Sequence, residues 1–148
     1  MLEQNKLYLH NCDNMEFMKT IPDKFFELGL VDPNYGIGAA EKFGSEKYGW
    51  KQHKRKKWDD SIPSKQYFEE LFRISKNQII WGGNYFTDFL KPSMGWVIWD
   101  KGQRDFSLAD GEMAWTSFDR AMRIFEFSRS SCIKSNNTGL DKFHPTAK

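Results

Sequence analysis

Apolar residues recur in short runs along the chain, and the spacing within each run predicts the element that it forms. Four short runs are rich in apolar residues and typical of strands: Lys6–His10 (KLYLH), Glu27–Asp32 (ELGLVD), Asn77–Trp81 (NQIIW) and Gly95–Asp100 (GWVIWD). In the second run Leu28, Leu30 and Val31 stand close together. That grouping favours a buried parallel strand over an alternating surface strand.

Helical spacing occupies the stretches between these strands. The first predicted helix covers Asp13–Ile21 and is closed by Pro22. Pro63 and Ser64 open a second helix. Its large apolar residues recur every three to four positions: Tyr67, Phe68, Leu71, Phe72 and Ile74. A short third helix is predicted over Asn84–Leu90.

Two later runs, Glu112–Phe118 and Met122–Phe127, alternate apolar and polar residues and predict an antiparallel ribbon. The order of the elements predicts an α/β fold whose sheet is mostly parallel, with an antiparallel terminal hairpin. Because no repeat, linker or low-complexity stretch divides the chain, we expect residues 1–148 to form a single domain.

Composition narrows the class of protein. The chain has 148 residues, a net charge of +2 and 39% hydrophobic residues, which fits one domain with a real core and excludes a disordered or collagen-like chain. Aromatic residues make up 16% of the chain, and most are expected in the core. No segment approaches the ~18 consecutive apolar residues of a membrane span. Two cysteines, Cys12 and Cys132, are too few for a disulfide framework or a zinc site and predict a cytoplasmic protein.

The strongest candidate for chemistry is the string Asp32-Pro33-Asn34-Tyr35-Gly36, which follows the second predicted strand directly. Open α/β sheets bind their ligands beyond the carboxyl ends of the strands, so the string occupies a site position. Asp, Pro, Asn and Gly all favour turns, and a plain β-turn is the alternative interpretation.

A basic run lies downstream of this string. It holds five cations and no acid: Lys51, Lys54, Arg55, Lys56 and Lys57. Such a run is often only a solvated face. Its position in the loop after Tyr35 favours contacts with nucleic-acid phosphates at the rim of a site. Contacts of this kind are indifferent to base sequence and weaken with salt.

The string at residues 32–36 resembles the D-P-P-Y signature of DNA amino-methyltransferases, which transfer a methyl group from S-adenosylmethionine to the exocyclic nitrogen of adenine or cytosine. Asn34 stands where the family has proline. Further segments, in family order, are similar to the adenine-specific branch of phages and prophages: Tyr67–Phe86, Trp96–Lys101, Ala109–Phe118 and His144–Lys148, the last against an HPTQK string. The resemblance implies a Rossmann-like methyltransferase fold that acts on adenine N6 in double-stranded DNA.

The resemblance also implies roles for individual residues. An exocyclic amine is a poor nucleophile because its lone pair is delocalised into the ring, so acceptors must take its hydrogen bonds. The Asp32 carboxylate and the Pro33 carbonyl are the implied acceptors, and the Tyr35 ring is the surface on which a base rotated out of the duplex stacks. Asp13 resembles an acidic family position near the adenine of the cofactor, S-adenosylmethionine. Proline fixes φ at about −65°, so Asn34 is expected to loosen the loop.

The cofactor site of the family uses an F-x-G-x-G string, which this sequence does not contain. In the permuted order that the chain resembles, the cofactor half follows the HPTQK string. We therefore expect this chain to be the catalytic, target-base half alone, without binding S-adenosylmethionine by itself. The strand at residues 28–32 would then form an apolar sheet edge, which favours self-association or a partner chain that supplies the cofactor half.

Two other functions stay open. A catalytically inactive DNA-binding remnant or accessory subunit is favoured by Asn34 and by the missing cofactor string. A methyltransferase-like protein that acts on RNA, protein or a small molecule is disfavoured by the basic run and by the adenine-branch segments.

Overall fold

The computed structural model describes residues 7–38, 59–105 and 108–128. In these ranges the chain forms two α-helices, one 3₁₀ helix and five strands. In chain order they are α1 (Asn14–Lys19), β1 (Phe26–Val31), α2 (Lys65–Ile74), β2 (Ser75–Trp81), the 3₁₀ helix η1 (Gly83–Tyr85), β3 (Trp96–Asp100), β4 (Gly111–Thr116) and β5 (Arg123–Glu126).

The two α-helices begin at side chains that accept hydrogen bonds from free main-chain N–H groups. The Asp13 carboxylate accepts from the N–H groups of Met15 at 2.8 Å and Glu16 at 3.1 Å, which starts α1. Ser64 accepts from Tyr67 N–H at 3.4 Å and starts α2. Both helices were predicted at these places, and α1 is shorter than the predicted range. Helix α2 runs straight into β2 because Ser75 already has an extended backbone.

The strands form one mixed sheet in the order β1-β2-β4-β3-β5 within the described residues. Strands β1 and β2 are parallel, with Val31 opposite Ile80. Strand β4 is antiparallel to both of its neighbours, β2 and β3, while β5 is parallel to β3. Four strands therefore run in one direction, and the antiparallel strand lies inside the sheet. This α/β arrangement is compatible with the predicted Rossmann-like fold.

The predicted antiparallel ribbon between the two last runs is wrong. Strand β3 lies between β4 and β5, and β5 pairs with it in parallel. The Trp99 side chain stabilises this pairing, because its Nε1–H donates to the Phe127 carbonyl at 2.8 Å and its ring stacks on Phe125 with centroids 6.4 Å apart. Alternation of apolar residues identifies a strand but does not identify its neighbour.

Two shorter predictions also change. Leu7–His10 form no strand, since Leu7 and Leu9 are exposed and no described strand pairs with this segment. The short helix predicted over Asn84–Leu90 is only the 3₁₀ turn η1. Its main chain closes i to i+3 hydrogen bonds, such as Tyr85 N–H to the Gly82 carbonyl at 2.8 Å, and helices of this kind stay short.

The core lies between α2 and the sheet and is rich in aromatic side chains, as the composition predicts. Its fully or largely buried members include Phe68, Leu71, Ile80, Phe86 and Trp115. Helix α2 approaches β1 closely at Gly29. A Cβ at this glycine would lie 2.9 Å from Leu71 Cδ1 of α2 and from Ser75 Oγ of β2, so a larger residue here would require these side chains to shift.

Strand β1 has a neighbour on one side only, among the strands that the structure describes. Two of its leucines point to the same face and are exposed, Leu28 at 44% and Leu30 at 60%. The predicted apolar edge is therefore present in this part of the chain. None of the described helices is long and apolar enough to cross a membrane.

Candidate functional site

The loop that follows β1 brings together two residues that the sequence singled out. The Tyr35 hydroxyl donates a hydrogen bond to Asp32 Oδ1 at 2.6 Å. Pro33, between them, is buried. Because β1 and β2 are parallel neighbours, the loop lies beside the turn that follows β2. The site therefore stands at the carboxyl ends of two adjacent strands, where α/β sheets bind their ligands.

The ring of Tyr35 is held by residues of the turn after β2. It stacks on Tyr85, with ring centroids 5.0 Å apart and an angle of 13° between the planes. It also lies against the main chain of Gly82, where a Cβ would come within 2.2 Å of Tyr35 Cε1. Gly82 has φ +68°, so both its backbone and its contact with the ring require glycine. Tyr85 is 43% exposed and forms the solvent side of the stack.

Both phenols near Asp32 bind their protons tightly. Burial raises the pKa of Tyr35 above its ordinary value, and the hydrogen bond to Asp32 raises it further. Burial, together with the negative charge of Asp32, raises the pKa of Tyr67 to about 12. Tyr35 is therefore a hydrogen-bond donor to the carboxylate at neutral pH, and one oxygen of Asp32 is engaged.

A second segment, residues 59–61, supports the loop from outside. The Asp59 carboxylate accepts from the main-chain N–H groups of Tyr35 at 2.9 Å and Gly36 at 3.0 Å. Asn34 Nδ2 donates to the Ser61 carbonyl at 3.3 Å. The side chain of Asn34 thus ties the loop to this second segment.

No model of a known protein family matches the chain. No curated protein matches its sequence either. The geometry of the loop and its surroundings, together with the sequence motifs, therefore carries the functional argument.

A groove of about 680 Å³ opens beside this loop. It lies between α1, β1 and α2, and one end is formed by Asp32, Pro33 and Asn34. Apolar side chains, including Met15, Leu28 and Leu71, cover most of its walls, and Asn14 and Ser64 add polar atoms. A volume of this size is typical of small-molecule sites.

Asp13, the residue proposed from the resemblance to lie near a cofactor, is not among the residues that line the groove. Its carboxylate Oδ1 caps α1 through the N–H groups of Met15 and Glu16. That capping role accounts for an aspartate at this position, and a cofactor contact by Asp13 stays a prediction.

The basic run, Lys51, Lys54, Arg55, Lys56 and Lys57, lies outside the described residues, as does the segment His144–Lys148. The two ends of the stretch that carries the basic run are described. Gly38 N–H donates to the Asp59 carbonyl at 3.1 Å, so residues 38 and 59 meet at the base of the loop. The segment between them therefore starts and finishes beside Asp32 and Tyr35.

Two residues of the site were not identified from the sequence. Tyr85 follows the Gly-Gly turn after β2, and the rule that parallel strands end at the same edge could have drawn attention to it. Asp59 lies 24 residues from Tyr35 along the chain. No local pattern in the sequence indicates that contact.

Proposed function

We propose that this chain is the target-base part of a DNA methyltransferase that transfers a methyl group from S-adenosylmethionine to N6 of adenine. The observation that carries the proposal is the hydrogen-bonded pair of Asp32 and Tyr35 at the carboxyl end of β1, at one end of a ligand-sized groove. The motif resemblance suggests the reaction, and the position of this pair beside the groove supports it.

The roles of the residues follow from the chemistry of the amine. An adenine rotated out of the duplex presents its NH₂ group to the Asp32 carboxylate, which accepts one N–H, while the Pro33 carbonyl accepts the other. These bonds localise the nitrogen lone pair. When bound, the cofactor would supply the methyl carbon on its sulfonium. Asp32 would accept the proton that N6 loses as it gains the methyl group.

The groove would contribute one wall of the cofactor site, which the cofactor half would complete. Its volume of about 680 Å³ lies within the range of small-molecule sites, and its end at Asp32 would put a bound ligand next to the proposed base position. Asn14 and Ser64 are polar groups of the wall that would hold polar parts of the ligand, and Met15 and Leu71 would pack against its apolar parts.

DNA binding is proposed for the basic run from Lys51 to Lys57. Support comes from the contact between Gly38 and Asp59, which closes the stretch carrying the run at the base of the site. Phosphate contacts made from this stretch would hold the duplex near Asp32 and Tyr35.

A second candidate is a DNA-binding remnant or accessory subunit without catalysis. Two observations favour it: Asn34 replaces the proline of the signature, and the Tyr35 hydroxyl already occupies Asp32 Oδ1. In this case the basic run would still bind DNA, and no methyl group would be transferred.

The two candidates differ in methyl transfer. The full product of the native reading frame is incubated with S-adenosylmethionine and adenine-rich duplex DNA that carries no methyl groups, and N6-methyladenine is measured by mass spectrometry after digestion. We expect transfer by the wild type, with a loss of ~100-fold or more in Asp32→Asn because the amide oxygen is a weaker acceptor. Asp60→Asn, an exposed neighbour of Asp59, is the matched control and should keep wild-type activity.

Equal activity of Asp32→Asn and wild type would overturn the assignment of Asp32. DNA binding without any methyl transfer by the wild type would replace the first candidate with the second. A titration of S-adenosylmethionine into residues 1–148 is run in parallel. Micromolar binding by this chain would contradict the expectation that it lacks the cofactor half.

A further inference from the structure

The loop that carries Asp32 and Tyr35 has no regular secondary structure, so its main-chain N–H groups have no ladder partner. Asp59 supplies that partner from a distant part of the chain. Its side chain is only 2% exposed. One carboxylate oxygen accepts from Tyr35 N–H at 2.9 Å and from Gly36 N–H at 3.0 Å. Bonds from main-chain N–H groups to a carboxylate are charge-assisted and stronger than neutral ones.

The backbone of the loop is shaped to fit this carboxylate. Gly36 has φ +68°, in the left-handed region. A left-handed residue turns successive N–H groups toward one point, which forms a small anion-binding concavity. The main-chain carbonyl of Asp59 accepts in addition from Gly38 N–H at 3.1 Å. Asp59 therefore contacts the loop with both its side chain and its main chain.

These contacts hold Tyr35 at two points. Its N–H is bound to Asp59, and its hydroxyl is bound to Asp32 at 2.6 Å. The position of the backbone sets where the ring can lie between Gly82 and Tyr85. In the signature that this loop resembles, proline stiffens the position that Asn34 occupies here. Restraint of this loop comes instead from outside, through Asp59 and the contact of Asn34 with Ser61.

We propose that Asp59 is the positioning residue of this site: by binding the N–H groups of Tyr35 and Gly36, it places the Tyr35 side chain against Asp32. The naming of Asp32 and Tyr35 as the reacting site rests on the proposed function. The placement itself does not, and it can be measured without methyl transfer.

The test compares amide hydrogen exchange in wild type, Asp59→Asn, Asp59→Ala and the control Asp60→Ala, with far-ultraviolet circular dichroism to verify the fold. The Asn side chain keeps an oxygen acceptor but loses the charge. In Asp59→Asn we expect the Tyr35 and Gly36 amides to exchange about tenfold faster. The Gly38 amide, which is bound to a main-chain carbonyl, should exchange at the wild-type rate. Asp60→Ala should leave all three rates unchanged.

The second readout follows the Tyr35 ring. In protein labelled with 3-fluorotyrosine, the ¹⁹F signal of Tyr35 is assigned by its loss in Tyr35→Phe. In folded Asp59→Ala we expect its chemical shift to move toward that of a solvent-exposed 3-fluorotyrosine. In Asp59→Asn the chemical shift should stay near the wild-type value. If Asp59→Ala does not fold, the exchange rates in Asp59→Asn alone test whether Asp59 positions the loop.

Unchanged exchange at Tyr35 and Gly36 in Asp59→Asn, or an equal increase at Gly38, would show that the carboxylate does not position the loop. An unchanged ¹⁹F chemical shift of Tyr35 in folded Asp59→Ala would also show that Asp59 does not position the loop. If these patterns hold while the wild type transfers no methyl group, the proposed function fails and the positioning role of Asp59 stands.

Discussion

At the scale of single residues, the site depends on a neutral phenol beside a carboxylate. The Tyr35 hydroxyl donates to Asp32, and the buried Tyr67 lies in the field of the same carboxylate. A carboxylate with one donor in place is well suited to accept a further N–H, and it binds an amine only if the geometry leaves an oxygen free. The hydrogen bonding of Asp32 is thus linked to the protonation of two tyrosines.

This link predicts a pH dependence of stability. The pKa of Tyr67 is about 12 in the folded chain and 10.0 without the fold. Below pH 10 both the folded and the unfolded chain keep the proton on Tyr67, so its raised pKa stabilises the fold in full. Above pH 10 only the unfolded state loses the proton, so the free energy of unfolding falls by up to ~1.4 kcal/mol per pH unit. We expect Tyr67→Phe to show a shallower fall than wild type between pH 10 and 12.

Urea unfolding followed by tryptophan fluorescence measures this difference. From pH 7 to 9 the difference in stability between wild type and Tyr67→Phe should be constant, which is the internal control. Tyr35→Phe should also lessen the fall above pH 10, since burial and Asp32 raise the pKa of Tyr35 as well. If the free energy of unfolding falls equally steeply with pH in all three proteins above pH 10, the raised pKa values of Tyr35 and Tyr67 are wrong.

At the scale of elements, β1 both carries the site and forms an edge of the described sheet. On one side it pairs in parallel with β2, and α2 packs closely on it at Gly29. On the other side no described strand pairs with it. Leu28 and Leu30 are exposed on this strand, and the main chain of an edge strand is a template for further pairing.

We therefore expect the chain to self-associate through β1. Light scattering coupled to size exclusion should give a mass above that of one chain, rising with concentration. The double variant Leu28→Lys/Leu30→Lys should shift the mass to that of a monomer, because lysines on an edge oppose strand pairing. Met94→Lys, which places the same charge at an exposed residue away from the edge, should not. A wild type that stays monomeric at all concentrations would rule out this association.

At the scale of the whole molecule, the small net charge of +2 hides a concentration of positive charge between Lys51 and Lys57. The stretch that carries this run is closed at the site by the contact of Gly38 with Asp59. Under the proposed function, we expect this run to attract an approaching duplex.

The variant with Lys54, Arg55, Lys56 and Lys57 changed to alanine tests this attraction. Fluorescence anisotropy with duplex DNA at several salt concentrations gives log K against log salt, whose slope should become shallower by about 0.9 for each phosphate that the variant no longer binds. A matched control removes four exposed lysines elsewhere: Lys19, Lys65, Lys76 and Lys91. An identical effect of both variants would mean that general charge, and not the basic run, attracts DNA.

Local pattern in the sequence determined the main elements of this protein and one end of its site. The periodicity of Tyr67, Phe68 and Leu71 identified α2, and the run LGLV identified β1. Since β1 ends at Val31, the sequence also placed Asp32 and Tyr35 beyond the carboxyl end of a strand. These features depend on residues close together in the sequence. Apolar residues that recur every two positions indicate a strand, and those that recur every 3.6 positions indicate a helix.

Only the tertiary structure decided the order of the strands and the partners of the loop. Strand β4 inserts between β2 and β3, and β5 runs parallel to β3. Both facts depend on main-chain pairing between distant segments. The alternation of residues along a strand does not indicate which strand pairs with it. The contacts of Tyr35 with Asp59 and Tyr85 likewise join residues 24 and 50 positions apart. Such contacts exist because the fold brings separate segments of the chain to one edge of the sheet. The sequence around Tyr35 and Asp59 carries no sign of their contact, whereas Tyr85 follows a strand whose end the pattern already predicted.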